Sequence, residues 1–154
     1  MTITAARAVA PIAANDLRNL VSSELFARLV RRTAKEHDLS EEMAQRSVAQ
    51  AVMMLGAIGD NPGVTFYPSV AVDHGWHTFI LDTQHYHKFC ERVAGTYIHH
   101  NPIEGATDGG ALMRRTANFL REHGYPVDDD LWAAVESVHC SGGESCDNTI
   151  RCSS

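Results

Sequence analysis

Six of the nine histidines fall between residues 74 and 100, and two carboxylates lie among them. The dense part reads Val72-Asp73-His74-Gly75-Trp76-His77-Thr78-Phe79-Ile80-Leu81-Asp82-Thr83-Gln84-His85-Tyr86-His87-Lys88-Phe89-Cys90. Asp73 and His77 stand four residues apart. On a helix that spacing puts the two side chains on neighbouring turns of one face, close enough to share a metal ion. His85 is eight residues beyond His77, about 12 Å further along a helix axis, and is excluded from the same ion. His74 is three residues from His77 and is the substitute for Asp73, but it points further toward solvent. A further ligand must come from elsewhere in the chain, and His99-His100 is the natural source, because Gly95 lets the chain reverse. Neighbouring residues in extended chain face opposite ways, so one of the two is expected to join, with His99 slightly preferred. Two histidines and a carboxylate that leave coordination positions open suit a non-haem Fe(II) site or a catalytic zinc site. The competing reading is structural: an Asp/His pair that orients an imidazole, and a His-His pair that caps nearby carbonyls.

These residues need helices to hold them, and the pattern supplies helices. Asn15-Asp16 caps a first helix to about His37, with Leu17, Leu20, Val21, Leu25, Leu29 and Val30 at helical spacing. Ser40 caps a second, with Glu41 and Glu42 in its first turn and Ala44, Val48, Ala51, Leu55 and Ile58 on its apolar face. Asp60-Asn61-Pro62-Gly63 ends it. The short connection predicts an antiparallel hairpin. Val64 to Tyr67 reads as an extended connector. Ser69 caps a third helix running to about Ala94, whose core stripe is Val72, Trp76, Phe79, Ile80, Thr83, Tyr86, His87 and Cys90. That breadth makes it the expected central element. A fourth helix fits 111–123 and a short fifth 130–138.

The stretch Val72-Asp73-x-x-Trp76-His77-x-Phe79-x-Leu81-x-Thr83-x-x-Tyr86-x-x-Phe89-Cys90 resembles the repeated motif of the glycine-rich domain-containing protein-like family. It departs from that pattern at Phe79, where the family often has a second histidine. The resemblance implies a helical fold and draws attention to Asp73, Trp76, His77 and Tyr86. It implies no reaction.

Three of the four cysteines, Cys140, Cys146 and Cys152, lie in the last 15 residues. Their spacing fits neither a zinc finger nor a Cys-x-x-Cys pair. A soft-metal or redox tail with His139 is one reading. A precursor segment after Gly142-Gly143, modified at its Cys, Ser and Thr residues, is another. The third is a flexible tail with free thiols.

The 154 residues are enough for one domain, with 44% hydrophobic and 21% charged residues. A net charge of -6 disfavours a polyphosphate partner, so no nucleic-acid binding is expected. No apolar run approaches the roughly 20 residues of a membrane span. The start of the chain, with Pro11 interrupting an alanine-rich stretch, does not read as a secretory signal, which predicts a cytoplasmic protein. The expectation is therefore an all-α single bundle of about five helices over 15–138, with a mobile lead-in at 1–14 and a flexible tail at 139–154. Its expected function is to bind a divalent Fe or Zn ion through Asp73, His77 and His99 or His100; a non-haem iron or zinc enzyme of unknown substrate is one form of that function. The alternatives are a non-catalytic interaction module and a precursor protein modified at its cysteine tail.

Overall fold

The computed structural model describes residues 17–102 and 110–133. The expected lead-in, the cysteine tail and the end of the fifth helix lie outside the described residues. Within them every regular element is a helix: α1 (Leu17–Leu20), α2 (Ser23–His37), α3 (Glu41–Asp60), α4 (Val70–Leu81), α5 (Thr83–Ala94) and α6 (Ala111–Glu122). The fold is an all-α bundle, with α1 a single turn.

Local chemistry sets most of the boundaries. The hydroxyls of Ser22, Ser40 and Ser69 accept from the backbone N–H of Leu25, Met43 and Val72, so each of α2, α3 and α4 begins on a serine cap. α2 ends at Asp38, which adopts the left-handed conformation (φ 51°) and donates its N–H to Ala34 O. Leu25, Leu29 and Val30 turn inward from α2 onto α3. The most enclosed element is α3, where every residue from Ala51 to Ala57 is buried. The expected centre was the histidine-bearing helix. It packs on α3 instead, because α3 carries small residues and methionines on all sides and can be covered from all sides. Gly75 brings α4 in close: a Cβ there would lie 2.6 Å from the Ser47 carbonyl oxygen of α3.

Three expected elements take a different form. The first helix is interrupted at Val21-Ser22, where the Ser22 cap restarts it as α2. The third helix is broken at Asp82 (φ -86°, ψ 66°) into α4 and α5. Its cause lies across the fold. Arg28 of α2 donates to Asp82 Oδ2 from Nε at 3.0 Å and Nη2 at 2.8 Å, and His85 Nδ1 meets Asp82 Oδ1 at 2.6 Å. The break shifts the helical phase, so Tyr86, Phe89 and Cys90 are buried while Thr83 and His87 are exposed. Residues 129–133 form a turn rather than the start of a fifth helix. Gln50 pins that turn to α3, accepting from Trp132 Nε1 (2.8 Å) and the Asp128 N–H and donating to Pro126 O. Val64 to Tyr67 runs without regular structure, and the Tyr67 N–H donates to Thr116 Oγ1 of α6 at 2.8 Å.

Candidate metal centre

Asp73 sits in the first turn of α4, where the helix dipole favours a carboxylate. One turn on, His77 Nδ1 lies 3.1 Å from Asp73 Oδ2. The i, i+4 pairing expected from the sequence is present.

The third member arrives through the chain reversal after α5. Gly95 caps α5 in the left-handed conformation (φ 69°), which costs a glycine little. Residues 97–102 then run without regular structure, and the buried Ile98 anchors them. The Ile98 carbonyl accepts from the Tyr86 hydroxyl at 2.7 Å, and that hydroxyl accepts from Trp76 Nε1 at 2.9 Å. Burial, the largest influence, pushes the Tyr86 phenol well above its ordinary pKa, so it stays protonated and keeps donating. With Ile98 facing inward, alternation turns His100 inward as well and His99 outward. His100 Nε2 meets Asp73 Oδ1 at 2.5 Å. Its ring lies against Trp76 (centroids 4.2 Å apart) and His77 (4.4 Å). The Asp73 carboxylate thus touches two imidazoles, one on each oxygen. One ligand atom from each of Asp73, His77 and His100 falls within 4.8 Å of the other two.

The separations can be compared with a coordination sphere. Bonds of about 2.1 Å to nitrogen and oxygen place neighbouring ligand atoms roughly 3.0 Å apart in an octahedron and 3.4 Å in a tetrahedron. The His77–Asp73 separation already meets that range. The His100 contact is to the other oxygen, Oδ1, and must widen by about 0.5–0.9 Å for an ion to enter. Exposure rises from 9% for the His100 side chain through 27% for Asp73 to 47% for His77, so the site opens to solvent on the His77 side.

The other histidines are engaged elsewhere. His99 is exposed and lies against Tyr97 at 4.8 Å, so the preference for it over His100 is corrected by the inward register of Ile98. His74 does not point to solvent as expected. It is half-buried, stacked on His37 at 4.0 Å, and burial followed by the neighbouring His37 lowers its pKa. His85 pairs with Asp82 and His87 with Glu91. Burial alone would raise the Asp82 pKa, yet hydrogen bonds from His85 and Arg28 bring it below the ordinary carboxylate value. The Trp76–Tyr86–Ile98 chain of hydrogen bonds was not legible in the sequence as a support for the site, although Trp76 and Tyr86 both fall on the expected core stripe.

Residues 17–116, the larger part of the chain, match the UCP032817-like family, and the chain belongs to that family. This overturns the resemblance to the glycine-rich domain-containing protein-like family. That likeness rested on about twenty residues, and most of its apolar positions, among them Val72, Trp76, Tyr86, Phe89 and Cys90, are ones the α4–α5 corner must bury. Such positions report packing more than ancestry. No curated protein and no solved structure matches the chain significantly. Among the described residues no helix is long and apolar enough to cross a membrane.

Proposed function

We propose that this UCP032817-like protein binds one divalent first-row metal ion, Fe(II) or Zn(II), through Asp73, His77 and His100. The observation that carries the reading is the double contact of Asp73. Its carboxylate meets His77 from its own helix and His100 from a segment 27 residues further on. Imidazole and carboxylate donors in a two-to-one ratio are those of non-haem iron and catalytic zinc centres, which keep positions free for water and substrate. The open side at His77 gives those positions access to solvent. Trp76 and Tyr86 position His100 and are not placed to react. Open coordination positions of this kind suit enzymatic use of the ion.

The short His100–Asp73 contact also favours a second reading, in which Asp73 is a structural acceptor for two imidazoles within an interaction module. Elemental analysis separates the two. The full chain, with Cys140, Cys146 and Cys152 replaced by serine to remove thiol ligands, is purified without a histidine tag and reconstituted with Fe(II) or Zn(II). The metal reading expects one ion per chain, lost in the double Asp73→Ala, His77→Ala variant and kept in His85→Ala. A chain that folds and takes up no stoichiometric metal leaves the structural reading standing.

A further inference from the structure

A groove of about 560 Å³ lies where the α1–α2 corner meets α5, apart from the Asp73 site. Its floor is apolar and includes Leu20, Leu25 and Phe89. Its polar side carries two cations, Lys88 and Arg92. His85, Lys88 and Arg92 line it, and the i, i+3, i+7 spacing sets all three on one face of α5. Among the described residues no carboxylate lines the groove, and Lys88 has no hydrogen-bonding or ionic partner. In a chain of net charge -6, a pocket with cations alone is a local reversal of sign.

Two of these groups are held in place. Arg92 donates to the backbone carbonyls of Asn19 and Leu20, and its guanidinium carbon lies 5.6 Å from the centre of the Phe89 ring. His85 is fixed through Nδ1 by Asp82 and Arg28, which leaves Nε2 uncommitted. Arg92 and His85 are therefore preorganised, and Lys88 is free to close on an anion. The volume suits a small molecule rather than a macromolecule.

We propose that this groove binds a small organic carboxylic acid, its apolar body over Leu25 and Phe89 and its carboxylate on Lys88 and Arg92. Charge complementarity selects the head group, and the apolar floor selects against a bare inorganic anion.

The test uses the full chain in the presence of a chelator, so that carboxylate binding to metal does not intervene. Sodium octanoate is titrated while backbone amide shifts are followed by NMR. The proposal expects saturable binding with Kd of about 1 mM or tighter and shifts centred on Leu25, Lys88 and Phe89. Neutral octanol, inorganic phosphate and the Lys88→Met variant are each expected to bind about tenfold more weakly, the loss of one charge-assisted contact or of the apolar body. Lys88→Met removes no contact that holds the fold, whereas Arg92 fixes α1 and is left intact. Absence of saturation, equal binding of octanol or phosphate, shifts centred elsewhere, or indifference to Lys88→Met would each overturn the assignment.

Discussion

Replacing Tyr86 by phenylalanine removes one oxygen atom and, with it, a hydrogen-bonded link between α4, α5 and the segment that carries His100. The ring stays, so its contact with Phe79 (5.2 Å, edge-on) survives. Two hydrogen bonds are lost: Trp76 Nε1–H to the hydroxyl, and the hydroxyl to Ile98 O. Both surviving partners are held in a buried setting, Trp76 being 5% and Ile98 7% exposed. A buried polar group left unsatisfied costs about 1–3 kcal/mol, and two partly relaxing groups give an expected loss of about 2–3 kcal/mol. For a chain of this size that corresponds to a fall in Tm of roughly 8 °C. The second effect is local. Without its tether to Tyr86, Ile98 O no longer fixes the register that turns His100 onto Asp73. Loss of such a supporting bond typically weakens a metal site by 10–100-fold. Thermal melts and isothermal titration with Zn(II), both on Tyr86→Phe, measure the two effects. A variant that melts as the parent does and binds zinc equally well refutes the positioning role.

Other perturbations follow from the packing and the charges. Gly75→Ala places a methyl 2.6 Å from the Ser47 carbonyl oxygen. Overpacking against backbone costs about 3 kcal/mol, offset by about 1 kcal/mol of helix propensity, so urea denaturation is expected to show a net loss near 2 kcal/mol. Trp76→Ala empties a nearly buried site and is expected to lose about 3–5 kcal/mol in the same assay; an unchanged midpoint would remove Trp76 from the core. Asp128 is held below the ordinary carboxylate pKa, first by its hydrogen bond from Arg46, against burial that would raise it. A depressed folded pKa means that the contribution is full above the ordinary value and is lost as pH falls from about 4 downward. Trp132 fluorescence should report release of the 125–132 turn over that range, and in Arg46→Met the acid transition should move to higher pH. An unmoved transition would detach that turn from the Arg46 contact.

The parts of this fold that local chemistry decides were readable in advance. Ser40 and Ser69 announce their helices, Asn61-Pro62-Gly63 ends one, and the Asp73–His77 pairing needs only helical spacing. The parts decided by contacts distant in sequence were not. Nothing local marks Asp82 as a break, since neither glycine nor proline stands there; the ties to Arg28, 54 residues away, and to His85 fix it. The choice between His99 and His100 had a usable local signal. Ile98 is the one aliphatic residue of that segment, and its inward face sets the parity of both histidines. The family assignment failed for a related reason, because a short motif rich in core positions is matched by packing as readily as by descent.

The most direct test compares His100→Ala with His99→Ala in the full chain lacking Cys140, Cys146 and Cys152. Equilibrium dialysis against Zn(II), followed by elemental analysis, counts the ions retained. Ligation competes with protons for the imidazole nitrogens, so the comparison is made at one fixed neutral pH. The account predicts about one zinc per chain in the parent and in His99→Ala, and none in His100→Ala. Equal retention by the two variants, or a loss confined to His99→Ala, would contradict the assignment of Asp73, His77 and His100 as the metal centre.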